Sequence, residues 1–211
     1  MRDLVLFFVS LFSVVNPLAV IPTFVGFTQG ASRFDRRKIS RRASIAVFLI
    51  LTTSYLAGEA VLQFFSISVA SLRVAGGILI FGMAWSMLQA TVSRAKQTRE
   101  EAMEASERDS IAVVPLAMPL LAGPGAISLM IIVAGRTDEL LNHGLVLLGT
   151  AVVALITWGL MLVAGPITKA LGRTGLNVAT RFMGLILAAI AVEFISSGLL
   201  EIFPGWGIAG P

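Results

Sequence analysis

Apolar residues along this chain are collected into six long blocks separated by short polar stretches. A helix of about 20 apolar residues spans the roughly 30 Å of hydrocarbon in a bilayer. Transmembrane strands would instead be about 10 residues long, with alternating polarity that these blocks do not show. The pattern therefore predicts an all-α polytopic membrane protein with six transmembrane helices. The blocks are approximately residues 4–27, 43–65, 71–92, 111–134, 144–165 and 182–203.

Composition supports this class of protein. Of the 211 residues, 56% are hydrophobic and 13% are charged, whereas soluble domains carry charge on about 25% of their residues. The first block is too long for a secretory signal and lacks a small-x-small cleavage site, so we interpret it as a retained span. The chain has no cysteine, which excludes disulfides, thiolate chemistry and cysteine-bound metals. We expect no metal and no cofactor.

Basic residues predict the orientation of the spans. Thirteen of the 16 lie in three alternate connections between spans. Basic connections stay on the cytoplasmic side of a bilayer, so both termini are expected outside the cytoplasm. A nucleic-acid contact is the less favoured explanation of SRFDRRKISRRAS, because this stretch connects two spans. The thirteen are Arg33, Arg36, Arg37, Lys38, Arg41, Arg42, Arg94, Lys96, Arg99, Arg108, Lys169, Arg173 and Arg181.

Two spans share an unusual pair of prolines. Residues 13–26 read SVVNPLAVIPTFVG, and residues 118–128 read MPLLAGPGAIS. Pro17 and Pro22 in the first span correspond to Pro119 and Pro124 in the fourth, at a constant offset of 102. The repeated spacing predicts that spans one and four are interrupted in the same way.

A second pair of motifs extends the repeat. RVAGGIL opens span three at Arg73 and RFMGLIL opens span six at Arg181, at an offset of 108. The chain is thus predicted to consist of two three-span units, residues 1–92 and 111–211, joined by a charged cytoplasmic linker at 93–110. An odd number of spans inverts the second unit relative to the first. Inverted repeats with matched helix breaks are typical of secondary transporters.

The breaks supply groups that can bind a small solute. Proline removes a backbone donor, which frees carbonyl oxygens in both spans, and glycine permits left-handed backbone or close approach of a ligand. Each half-helix that begins at a break points its positive amino end toward the midplane. We therefore predict substrate binding at the two breaks; a pair of proline kinks without a ligand is the alternative. The predicted residues are Asn16, Pro17, Pro22, Thr23, Gly123, Pro124 and Gly125.

Other polar residues receive weaker predictions. Glu193 falls near the middle of span six and is a candidate for proton or cation coupling, or a protonated acid hydrogen-bonded inside the bundle. Arg73 and Arg181 are expected to anchor their spans at the membrane interface. His143 is expected in a solvated connection, and Gly76, Gly77 and Gly82 at close helix contacts.

The chain resembles the MarC family of bacterial and archaeal inner-membrane proteins. The resembling segments are NPLAVIPTF with Thr28, ISVASLRVAGGILI, VPLAMPLLAGPGAI and RFMGLILAAIAVEFI, in matching order along most of the chain. The resemblance implies a six-span fold of two inverted repeats with discontinuous first and fourth helices, related to the exporter superfamily that includes LysE. It also implies transport of small neutral amino acids such as glycine and alanine. Ala19 departs from the glycine of many members, and Glu193 from their frequent glutamine.

These observations lead to one functional hypothesis. The chain is expected to transport a small neutral solute, in particular an amino acid, by alternating access around the paired breaks, with H+ or Na+ as the candidate coupling ions. Amides near Gly125 and Thr23 would bind the carboxylate, and Asn16 with freed carbonyls the ammonium group. A non-transporting membrane scaffold is the alternative. An enzyme is not expected, because no nucleophile with an adjacent base is apparent.

Overall fold

The computed structural model describes residues 2–28, 31–89, 117, 121–135 and 140–208. Every regular secondary-structure element in these ranges is a helix. The predicted all-α class is therefore confirmed. The predicted linker 93–110, Pro119 and the first part of span four lie outside the described residues. The elements are α1 (Arg2–Val15), α2 (Pro17–Phe27), α3 (Arg33–Phe64), α4 (Val69–Leu88), α5 (Pro124–Ala134), α6 (Leu140–Leu162), α7 (Ala164–Ile202) and a 3-10 helix (Pro204–Ile208).

Five of the described segments are long and apolar enough to cross a membrane. A sixth apolar helix, α5, has 11 residues and forms the second half of the predicted fourth span. Gly172 has φ 61° and ψ −175° and interrupts α7, so the crossing part of this helix begins at Thr174. The five segments are Val5–Phe27, Arg33–Phe64, Val69–Leu88, His143–Leu162 and Thr174–Ile202.

The outer surface of the bundle is apolar. Leu155 on α6 and Leu56 on α3 are 68% and 66% exposed, and both lie on membrane-length helices. A continuous apolar surface of this kind is not stable in water. Together with the helix lengths, it identifies an integral, multi-pass membrane protein.

The basic stretch between the first two spans is largely helical rather than a loop. Helix α3 begins at Arg33, after Ser32, whose hydroxyl accepts a hydrogen bond of 3.1 Å from the amide of Asp35. This contact is an N-cap, and it satisfies one of the free amides of the first turn. Arg36 in the same turn donates through Nη2 to the carbonyl of Thr28 at 3.1 Å. The guanidinium group thereby satisfies a carbonyl at the end of α2 and holds α2 against α3.

Helices α4 and α7 pack against each other in antiparallel directions. A Cβ added to Gly77 would lie 2.9 Å from the carbonyl oxygen of Ala191, and a Cβ added to Gly198 would lie 2.9 Å from that of Ala70. The two backbones are therefore close together, as small residues allow in membranes. The contacts repeat at seven-residue intervals through Ala70, Gly77 and Ala84 on α4 and Gly184, Ala191 and Gly198 on α7.

Close packing was predicted at three glycines, and it is confirmed at two of them. Gly77 faces α7, and a Cβ added to Gly76 would lie 2.7 Å from Cβ of Ser128 on α5. Gly82 is exposed, with open space where its Cβ would be. Helix α4 thus packs against α7 on one side and α5 on another, which fixes the position of the short helix.

Arg73 is not the interface anchor that the sequence predicts. Its side chain is buried and donates through Nη1 to Oε2 of Glu201 at 2.7 Å. The pair joins the first turns of α4 to the last turn of α7. Burial of a guanidinium is tolerated because a carboxylate compensates its charge. The corresponding Arg181 is exposed, so the two arginines of the repeated motif have different environments.

His143 is also not simply solvated, as the sequence predicts. The ring is half-buried, and its Nδ1 hydrogen-bonds with the hydroxyl of Tyr55. This contact joins the start of the membrane-crossing part of α6 to the second half of α3. It therefore places α3 and α6 side by side in antiparallel directions.

We expect Gly77→Leu to destabilise the protein and Gly82→Leu to leave it unchanged. Both glycines lie on α4, but only the first has a backbone carbonyl within 3 Å of the added Cβ. Overpacking of this kind costs about 1–3 kcal/mol of unfolding free energy. Thermal unfolding of the two purified variants in the same detergent measures the difference. Equal unfolding temperatures would show that the α4–α7 contact is not close.

Candidate functional site

The first membrane segment changes conformation at Asn16, between α1 and α2. Asn16 has φ 47° and ψ 61°, which is left-handed backbone. The residue before a proline avoids the right-handed helical region, so Pro17 disfavours continuation of α1. Asparagine tolerates left-handed backbone better than other side chains with a Cβ. Pro17 then begins α2, in the first helical position where proline needs no hydrogen-bond partner.

The side chain of Asn16 is buried and only partly satisfied. Asn16 is 4% exposed, and its side-chain Nδ2 donates to Sδ of Met87 at 3.3 Å. The carbonyl oxygen Oδ1 has no hydrogen-bond partner. Sulfur is a weak acceptor, and an unpaired buried amide oxygen costs about 1–3 kcal/mol. Asn16 therefore retains most of its capacity to bind a polar ligand.

A second break precedes α5. Gly123 is extended, with φ −75° and ψ 175°, and Pro124 occupies the first position of the helix. Before it, the amide of Ala122 donates to the carbonyl of Ala117 at 2.8 Å, a wider spacing than that of an α-helix. The first-turn amides of α5 have no partner within their helix, so they form a positive terminus inside the protein.

The two breaks lie beside each other. A Cβ added to Gly125 would lie 3.4 Å from Cγ1 of Val14, two residues before Asn16, and 2.6 Å from Cγ1 of Ile80. The first turn of α5 therefore contacts the last turn of α1 and the middle of α4. Gly125 and Val14 are both buried, so this junction is interior.

The predicted site residues separate into an interior and an exterior group. Asn16, Pro17, Gly123 and Gly125 are buried, whereas Thr23 is half-buried within α2. Pro22 and Pro124 are exposed, and α2 continues through Pro22 to Phe27. The interior group alone surrounds the junction of the breaks.

Two details of the predicted chemistry are revised by this geometry. The residue with left-handed backbone is Asn16, and neither Gly123 nor Gly125 has positive φ. The lack of a side chain at Gly125 instead allows Ile80 and Val14 to pack close to the backbone of α5. Thr23 lies in the second turn of α2, so its amide is not one of the free first-turn amides of this helix. The first-turn amide of α2 that lies nearest the break belongs to Leu18.

Glu193 is not brought to the breaks. It is exposed on α7, and the hydroxyl of Ser196 donates to its backbone carbonyl at 3.2 Å. The hypothesis of an acid hydrogen-bonded inside the bundle is therefore wrong for this conformation. The residue lies instead at the surface of the bundle.

Residues that complete the junction were missed by sequence analysis. Met87, Ile80 and Val14 are apolar, and nothing in their local pattern distinguishes them from core residues. Met87 is the described side chain within hydrogen-bond distance of the Asn16 amide. The described hydrogen-bond partner of the Asn16 amide is therefore an uncharged side chain.

Comparison with known proteins now identifies the family. The family model described as MarC family integral membrane protein matches residues 1–203. This chain belongs to the MarC family. The resemblance predicted from the proline and glycine motifs is thereby confirmed.

The MarC-family relatives come from both bacteria and archaea. The UPF0056 membrane protein YhcE of Escherichia coli (strain K12) is 42% identical over 199 residues, covering 94% of this chain and 93% of its own. YvbG of Bacillus subtilis (strain 168) is 38% identical over 198 residues, covering 93% and 94%. A UPF0056 membrane protein of Archaeoglobus fulgidus is 40% identical over 194 residues, covering 92% and 91%. No solved structure matches this MarC-family chain significantly.

We expect Asn16→Gly to preserve the stability of this MarC-family protein and Asn16→Val to reduce it. Glycine adopts left-handed backbone without strain, whereas a β-branched side chain there costs about 1–2 kcal/mol or more. Chemical unfolding in detergent, followed by circular dichroism, measures both variants. Equal stability of the Asn16→Val and Asn16→Gly variants would contradict the left-handed backbone conformation at Asn16.

Proposed function

We propose that this protein is a transporter of small neutral amino acids that works by alternating access around its two helix breaks. We further propose that it resides in the cell inner membrane with both termini outside the cytoplasm. The observation that carries the proposal is the contact between the break at Asn16 and the break at Gly123, inside the bundle. Unpaired backbone groups cost several kcal/mol each in hydrocarbon, so two adjacent interruptions favour a functional site.

The packing of the helices supports two inverted repeats. In the first unit, the three spans are α1 with α2, then α3, then α4. The corresponding spans of the second unit are the fourth span, which ends in α5, then α6, then α7. Spans one and five are in contact, and so are spans two and four, as a two-fold relation requires. The third spans, α4 and α7, pack against each other in antiparallel directions. Inverted repeats of this kind bind substrate at their interface.

The groups at the junction suit a zwitterion. The first-turn amides of α5, at Gly125 and Ala126, and that of Leu18 on α2 would donate to a carboxylate. Oδ1 of Asn16 is an unpaired acceptor, and Pro17 leaves the carbonyl of Ser13 without its helical donor. These two oxygens would accept from an ammonium group.

The solute must be small. The space beside Gly125 is filled by Ile80 and Val14, so the junction is closed in this conformation. A binding cavity would open when one three-span unit moves relative to the other. Glycine and alanine, with at most one side-chain carbon, are the amino acids that such a narrow junction accommodates most easily.

Transport in proteoliposomes tests the proposal directly. We expect uptake of labelled glycine and alanine by the wild type. Asn16→Ala should reduce uptake at least tenfold, because loss of the hydrogen bond between the amide and the charged ammonium group costs about 1.5–3 kcal/mol. Gly125→Ala should also block uptake, because its methyl group would collide with Ile80. Gly82→Ala is the matched control, since the same change there meets open space.

A compensating substitution separates a steric effect on the site from misfolding. Gly125→Ala combined with Ile80→Ala removes the collision and should recover uptake toward that of wild type. Absence of uptake by folded wild-type protein across a panel of amino acids would contradict the transport proposal and favour the scaffold alternative. Equal uptake by wild type, Asn16→Ala and Gly125→Ala would exclude the breaks as the binding site.

A further inference from the structure

A groove separate from the helix breaks lies between α3 and α6. Its volume is about 320 Å³, and it is open toward the outside of the bundle. Arg41, Ser44 and Trp158 line it together with Ile45, Phe48 and Leu155, and almost all of its wall is apolar surface. None of these residues belongs to the proposed transport site.

The three lining residues that carry polar groups lie at one end of the groove. Arg41, Ser44 and Phe48 follow one another at helical spacing along one face of α3. Helix α6 runs in the opposite direction, as the contact between Tyr55 and His143 shows. Trp158 therefore lies at the same end of the groove as Arg41 and Ser44. Leu155 and Ala151, one and two turns earlier on α6, lie nearer to Phe48.

Two hydrogen-bond donors at the polar end have no partner. Oγ of Ser44 is unpaired although the residue is only 6% exposed, and the buried Nε1 of Trp158 is also unpaired. Ser54 and Thr157 in the same two helices bond to the carbonyl one turn earlier at 2.8 Å, whereas Thr52 on α3 is unpaired like Ser44. Ser44 and Trp158 differ from Thr52 because they line the groove, so an acceptor from outside the chain that enters the groove would satisfy both.

Positive charge is concentrated at the same end of α3. Arg33, Arg36 and Arg37 precede Arg41 along the helix. The described residues provide no ion-pair partner for Arg41. A guanidinium and an indole N–H offer only donors to a ligand, and a serine hydroxyl can donate as well as accept. The complementary ligand is acceptor-rich and negatively charged.

We propose that this groove binds an anionic phospholipid, with the phosphate at Arg41, Ser44 and Trp158 and an acyl chain along Phe48 and Leu155. Basic pockets between membrane helices are suited to anionic headgroups. The apolar wall continues from the polar end toward the middle of the membrane, so a headgroup with a chain fits it better than free phosphate. The bilayer supplies this ligand at high local concentration.

Quenching of tryptophan by brominated lipid tests the site. The chain has three tryptophans, so Trp85→Phe with Trp206→Phe leaves Trp158 as the only fluorophore. Two vesicle preparations would contain equal amounts of phosphatidylglycerol and phosphatidylcholine, with bromine on the chains of one lipid or the other. The surface charge is then identical, and only the carrier of the quencher differs.

We expect Trp158 to favour brominated phosphatidylglycerol about fivefold over brominated phosphatidylcholine in apparent binding. Arg41→Gln should abolish this preference, and Ser44→Ala, which keeps the charge, should reduce it. Arg37→Gln is the matched control, because it removes a positive charge from the same helix outside the groove. A second control leaves Trp85 as the only tryptophan; it is 55% exposed on α4 and should show little preference.

Three results would overturn the proposal. Equal quenching of Trp158 by the two lipids would mean that only ordinary boundary lipid contacts the groove. Equal loss of preference in Arg37→Gln and Arg41→Gln would mean that bulk charge, not the groove, attracts the lipid. Absence of quenching by both lipids would mean that lipid is excluded, as it would be if a second copy of the chain covered α3 and α6.

Discussion

The structure depends on one constraint, which is that backbone amides and carbonyls in hydrocarbon must find partners within the protein. Continuous helices meet it, and they make up almost all of the described chain. The constraint also explains where the exceptions lie. Asn16 and Gly123 interrupt their segments in the interior, where neighbouring helices cover them, and not on the lipid-facing surface. A break exposed to lipid would leave its polar groups unpaired.

Close helix packing provides the support that these interruptions need. Small residues bring the backbones of α4 and α7 together, and the pair of Arg73 and Glu201 joins their ends. Helix α4 in turn contacts both breaks, through Ile80 at Gly125 and through Met87 at Asn16. The close packing of α4 against α7 therefore supports both breaks in this conformation.

Unpaired polar groups distinguish two regions of the molecule. In the interior, the oxygen of Asn16 is an acceptor without a donor, so the junction can accept hydrogen bonds from a ligand. Between α3 and α6, Ser44 and Trp158 have unused donors beside Arg41, so that groove suits an acceptor. The two proposed sites therefore differ in chemistry, since one is interior and offers an acceptor, and the other opens at the surface of the bundle beside Arg41.

The sequence by itself determined the membrane class, the helical composition, the family and the position of the first break. These follow from local features: apolar length, the Asn-Pro step and the motifs that contain Pro124 and Gly125. Side-chain environment was not determined in this way. Pro22 and Glu193 are outside the bundle, whereas Arg73 is inside and paired. In an apolar helix that lipid can surround on any side, hydrophobic periodicity is weak, so the sequence does not specify which face is interior. Only the packing of α4 against α7 and α5, and of α3 against α6, decided which polar groups meet.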